Sequence, residues 1–245
     1  MDEGIKYYCD TLALPVILKE YENEAQEAIK AKLSYQGYLY NLLKLQASSR
    51  IENSINAKIK KAKFPFIRTI EEFDFSFQPK MDEKPIRELA ELGFLNTGKN
   101  IIFVGPPGVG KTHLAAAFGI LAAKKRKRVM FLTAEELTKN LLSAEYSSRV
   151  SEYIDSLYRL DLLIIDELGY LELNKSMGAL FFKLISKKYE NGSIIITTNK
   201  PFEEWNDIFG DAALASAILD RLLHHCYPFL ISGKSYRIKE LFRKS

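Results

Sequence analysis

The chain is short of several things, and each shortage excludes something. In 245 residues there are only two cysteines, one tryptophan and no strong excess of either charge. No apolar run approaches the ~20 residues that cross a bilayer, the longest, 114–123, being about half that, so a membrane-spanning protein is excluded. The opening Met-Asp-Glu-Gly is acidic and followed by no signal-type apolar stretch, so the expected location is cytoplasmic. Cys9 and Cys226 are far apart and lack metal-ligand spacing, which predicts two reduced thiols. Internal repeats and low-complexity segments are absent too. A net charge of +4 and a pI near 8.8 are mildly basic and do not by themselves indicate a nucleic-acid partner. The basic residues do gather locally, at Lys58 to Lys63, at Lys124 to Arg128, and among Lys234, Arg237, Lys239, Arg243 and Lys244. The second group closes a predicted helix, where cations suit the C-terminal dipole.

What is present is specific. Gly105-Pro106-Pro107-Gly108-Val109-Gly110-Lys111-Thr112 is a complete GxxxxGK[ST] loop, entered by Ile101-Ile102-Phe103-Val104 and left through a helix-prone run. Its glycines let backbone N–H groups curl around phosphate oxygens, and the following helix aims its positive end at the same charge. Lys111 is expected to reach the β- and γ-phosphates and the Thr112 hydroxyl to ligate Mg²⁺. The nucleotide-binding segment is taken to include the next residue, His113. The loop alone predicts binding of ATP or GTP.

Residues 1–63 read as a small helical domain, with one run from Leu14 to about Lys32 and two more over 33–46 and 51–63. Pro65 breaks the pattern, and residues 64–81 read as a linker in which Phe73, Phe75 and Phe77 alternate. Residues 82–245 then form the nucleotide-binding domain. Asp82 caps a helix ended by Gly93, and strands are expected at 100–104, 129–133, 162–166 and 193–198. Helices fall at 111–125, 135–144, 149–159, 175–190 and 211–223. Strands made almost wholly of Ile, Leu, Val and Phe, separated by helices, predict an α/β fold with a parallel sheet covered on both faces.

Two strands end in chemistry. Leu162 to Glu167 delivers two carboxylates to the edge where ligands bind in open α/β sheets. Asp166 is placed to hold Mg²⁺, directly or through water, and Glu167 to take a proton from an attacking water. Ser193 to Asn199 ends in an amide, and if this strand lies between the other two, Asn199 stands near the γ-phosphate and can orient that water. Arg221 and Arg237 are arginines of the kind that stabilise phosphoryl charge, although Arg221 could equally pair with Asp220 or Asp211.

The order of phosphate loop, Asp166-Glu167, Asn199 and Arg221 resembles the AAA+ ATPases, whose Walker A, Walker B, sensor 1 and arginine finger these positions match. More narrowly, five segments resemble the IstB family of insertion-sequence helper ATPases, which is related to DnaC-type helicase loaders. They are Phe64-Pro65, Phe73-Asp74-Phe75, residues 166–170, Ala217 to Leu222, and Gly233-Lys234-Ser235-Tyr236-Arg237. The likeness implies a P-loop NTPase fold without a full C-terminal lid domain, and an ATP- and Mg²⁺-dependent homo-oligomer on double-stranded DNA that presents it to a transposase. It implies Arg221 as the finger inserted into a neighbouring subunit's site and Arg237 as a second sensor. It also implies a DNA-contacting helical element between Ala134 and Leu160, where Arg149 and Arg159 are candidates. A helicase loader acting on single-stranded DNA keeps the same machinery. A small-molecule kinase is disfavoured, because no second substrate motif accompanies the loop.

Overall fold

A computed structural model describes residues 2–189 and 191–236. The chain forms two compact units, Met1–Ala57 and Lys58–Ser245. The first holds α1 (Asp2–Thr11), α2 (Pro15–Lys30) and most of α3 (Tyr35–Ala62). The sequence predicts two helices where the single α3 runs, because Ala47-Ser48-Ser49 interrupts the apolar spacing. Neither glycine nor proline stands there, however, and serine lowers helix propensity too little to end a helix. Within this unit the Gln46 amide oxygen accepts from Val16 N–H and Ile17 N–H, at 3.0 and 3.3 Å, filling donors that the first turn of α2 leaves open.

The second unit alternates strand and helix. Its elements are α4 (Glu83–Leu89), α5 (Gly93–Asn96), β1 (Asn100–Val104), α6 (Lys111–Lys124), β2 (Val129–Thr133), α7 (Ala134–Tyr146), α8 (Val150–Tyr158) and β3 (Leu162–Leu168). They continue with α9 (Lys175–Lys188), β4 (Ser193–Thr198), α10 (Trp205–Phe209), α11 (Ala212–His224) and β5 (Cys226–Leu230). Helix starts follow capping chemistry. Thr133 and Glu136 form a reciprocal capping box on α7, and Asp82, Asn174 and Asp211 each accept from a backbone N–H at the start of α4, α9 and α11.

All five strands are parallel, in the order β2-β3-β4-β1-β5. Side chains alternate between two apolar layers. Ile102, Leu163, Ile165, Ile194 and Ile196 face one, with α7 to α11, while Ile101, Phe103, Ile164 and Ile195 face the other, with α6. Phe118 of α6 is fully buried in the second layer between Phe94 and Phe103. Trp205 is fully buried in the first, flanked by Phe202 and Phe209. At the foot of the sheet the buried Lys188 donates to Leu160 O at 3.0 Å. Both cysteines are free, as their spacing predicts.

β5 is an edge strand that the sequence reading does not anticipate. Pro228 lies within it, and a proline without N–H is tolerated at an edge and rarely inside a sheet.

Candidate functional site

The phosphate loop leaves β1 at Val104 and enters α6 at Lys111. Gly108 and Gly110 take φ of +80° and +101°, which only glycine adopts without strain. At Gly110 a Cβ would also strike the Phe73 ring, and at Gly108 it would strike Ser235. The loop is therefore covered closely on two sides. Lys111 Nζ donates to Gly105 O and Pro106 O at 2.7 and 2.8 Å, inside the curl of the loop. Pro106 and Pro107 are exposed and Val109 is buried.

One cover comes from residues 66–78, the segment that reads as a connection in the sequence. Phe73 is buried, and Phe75 to Phe77 form a 3-10 turn capped by Asp74. Gln78, only 1% exposed, donates from Nε2 to Val109 O and Lys234 O. The other cover is the chain after β5, where Tyr236 N–H donates to Gly108 O at 2.8 Å and the Tyr236 ring meets Phe77 edge-on. Together these segments and the loop enclose a cavity of about 360 Å³, lined among others by Phe66, Phe73, Gln78, Lys111, Thr112 and Tyr236. Aromatic walls beside a phosphate cradle suit a nucleotide, base and phosphates together. His113 lies on the same wall. Its Nε2 is 2.8 Å from Thr69 O, and burial pushes its pKa down, favouring the neutral ring.

β3 and β4 bring the acidic residues to the loop. Asp166 is 3% exposed, and its two carboxylate oxygens accept from Thr112 Oγ1 at 3.0 and 3.1 Å. Thr197 Oγ1 donates to the same carboxylate. Burial pushes the Asp166 pKa up, with the two hydroxyls opposing that shift. Two hard oxygen donors side by side at the mouth of the phosphate loop match the ligand preference of Mg²⁺. Glu167 is exposed instead, with a φ of +62°. β4 does lie between β1 and β3, so Asn199, just beyond its end, stands beside Gly169 and the Asp166-Glu167 turn. Its Oδ1 is enclosed and has no hydrogen-bond partner among the described residues.

Arg221 is elsewhere. In the last turn of α11 its guanidinium lies over the Phe182 ring, 4.5 Å from the centroid, and donates to Ala217 O. It pairs with neither Asp220 nor Asp211 in a salt bridge, and it does not line the phosphate-loop cavity. Arg149 and Arg159 are exposed and flank the two ends of α8. Arg237 lies outside the described residues. The residues that the sequence reading misses are Phe73, Gln78, Thr197 and Tyr236. The alternating phenylalanines and the Thr197-Thr198 pair ahead of Asn199 were the available signals.

A five-stranded parallel sheet in this order, with a GxxxxGKT loop following β1 and an acidic pair on β3, defines an ATP-binding P-loop protein of the AAA+ class. The chain belongs to the family of IstB-like ATP binding proteins, whose pattern it matches over residues 8–244. It is 41% identical over 240 residues to an ATP-binding protein of insertion sequence IS5376 from Geobacillus stearothermophilus, covering 98% of this chain and 96% of that one. An IS21 ATP-binding protein from Pseudomonas aeruginosa is 43% identical, over 89% of this chain and 83% of its own. Among solved structures, the DnaC helicase loader superposes with a TM-score of 0.52 at 22% identity, over 72% of this chain and 99% of that one. AMPPCP-bound DnaA from Aquifex aeolicus gives 0.55 at 22% identity, over 72% of this chain and only 54% of its own length. These two likenesses concern the fold.

Proposed function

We propose that the protein is a cytoplasmic, Mg²⁺-dependent ATPase that assembles with further copies of itself on double-stranded DNA and assists a transposase in selecting and using an insertion target. The observation that carries the hydrolytic part is the meeting of Asp166, Glu167 and Asn199 at one sheet edge, beside Lys111 and Thr112. Nucleic-acid handling is supported by relatives that belong to insertion sequences. No helix among the described residues is long and apolar enough to cross a membrane.

The residues divide the work. Loop N–H groups from 105–112 and Lys111 Nζ bind the phosphates, and Thr112 and Asp166 hold the ion. Bound there, Mg²⁺ neutralises charge that builds on the phosphate oxygens. The Asn199 amide orients a water, and Glu167 takes its proton. Arg221 stands outside its own cavity, stacked on Phe182 with one N–H given to Ala217 O, and on the resemblance we assign it the finger role in a neighbouring copy's site. Arg237 is assigned the second-sensor role on the resemblance alone.

Glu167→Gln tests this. With the phosphate and ion ligands kept and the base gone, turnover should fall by at least ~10²-fold while ATP still binds, giving a stable ATP-bound assembly on duplex DNA. Hydrolysis at the unmodified rate removes Glu167 from its role. Particle images with duplex DNA and a non-hydrolysable ATP analogue should show an oligomer, and a monomer would defeat the assembly part. Tighter binding to single-stranded than to duplex DNA would favour a helicase loader.

A further inference from the structure

Between the paired positions Ile165–Ile196 and Leu168–Thr198, β3 holds two residues, Asp166 and Glu167, where β4 holds one, Thr197. This is a bulge, and a bulge leaves backbone groups without their ladder partners. Here the deficit falls on Glu167, whose N–H is out of register and whose φ of +62° is rare and costly for a residue with a side chain. Thr197 repairs it. Its Oγ1 accepts from Glu167 N–H at 2.9 Å and donates its own hydrogen to Asp166 Oδ1. One hydroxyl, 0% exposed, is therefore bonded to both members of the acidic pair.

A hydroxyl has one hydrogen to give, and in this arrangement it goes to Asp166, because the other partner is itself a donor. The bond directions are thus forced. Holding the carboxylate sets which way its oxygens face Thr112, and holding the Glu167 N–H fixes the left-handed turn that carries the Glu167 side chain out of the strand. We infer that Thr197 is the positioning residue of the site, setting Asp166 for the ion and Glu167 for the water through a single buried hydroxyl. This rests on the ATPase reading above and adds to it a residue that touches neither phosphate nor water.

The test uses the full chain with Thr197→Val, which keeps the shape and loses the hydroxyl, and Thr197→Ser, which keeps the hydroxyl. Turnover of the valine variant should fall by about 10²-fold, the effect expected of a roughly 1 Å misplacement, with KM changed by less than about 3-fold. The Mg²⁺ concentration that half-saturates binding of a non-hydrolysable ATP analogue should rise at least ~10-fold, as for a lost outer-shell partner. Amide exchange at Glu167 without nucleotide should quicken in the valine variant. Serine should restore all three readouts. If valine does not fold, Thr197→Cys, a weaker donor and acceptor, takes its place. Unchanged turnover, Mg²⁺ dependence and exchange in the valine variant overturn the inference, and so does a serine variant as impaired as the valine one. Should the unmodified chain not hydrolyse ATP at all, the ATPase reading fails, while Mg²⁺ dependence and Glu167 exchange still decide the role of Thr197.

Discussion

The two units of this chain manage apolar surface in opposite ways. In the second, the strands are buried from end to end across β1, β3 and β4, apart from Glu167, and helices cover both faces of the sheet. In the first, Cys9 and Leu42 are buried while Tyr7, Tyr8, Leu12, Leu39, Tyr40 and Leu43 stay exposed, and Tyr35 is 94% exposed. Three helices of this length have too little interior for so many large side chains. A parallel sheet has interior on both sides, so its sequence and its core match. A short helical unit carries an apolar stripe wider than its own interior, and composition alone does not reveal that mismatch.

Three measurements can break or sharpen this contrast. The largest effect is expected at Phe118, fully buried between Phe94 and Phe103, where Phe118→Ala should cost about 3–5 kcal/mol by urea unfolding. A loss below about 1 kcal/mol would mean that the sheet core is looser than its burial implies. Next comes Lys188. Burial lowers its pKa from 10.5 to about 8, so between those values the unfolded chain carries a proton that the folded chain does not. Stability contributed at this position therefore rises with pH through that window and is flat below it. The stability of the unmodified protein relative to Lys188→Met should climb from about pH 8 to about pH 10. A pH-independent difference would show that the ammonium stays charged at the foot of the sheet. The smallest effect belongs to the helical unit, where Leu39→Ser should change stability by no more than about 0.5 kcal/mol because Leu39 is 54% exposed. A loss as large as that at Phe118 would erase the contrast.

The same division governs what could be read without coordinates. The α/β class, four of the five strands and the approach of Asp166 to Thr112 were legible, because continuous apolar runs and a phosphate loop are local signals. The strand order was not local. It took the structure to put β4 between β1 and β3 and so to bring Asn199 to the site. β5 escaped notice because Pro228 argues against a strand unless the strand is known to be an edge. The continuity of α3 escaped because periodicity weakens at Ala47-Ser48-Ser49 without a breaker residue. Residues 66–78 looked like a connection, since what orders them is Gly110, Val109 and Lys234, distant in sequence. The bulge at Asp166-Glu167 was hidden for the same reason, as its compensating hydroxyl belongs to another strand.

Trp205 settles how the two units can be watched separately. It is the only tryptophan in the chain, and it is sealed in the sheet unit between Phe202 and Phe209. Indole emission excited at the red edge of the absorption band therefore reports on that unit alone and is dark to the three helices before it. Trp205 also does not line the nucleotide cavity. A spectral change on adding ATP would thus signal rearrangement of the α10 region, and not a ligand quenching its neighbour.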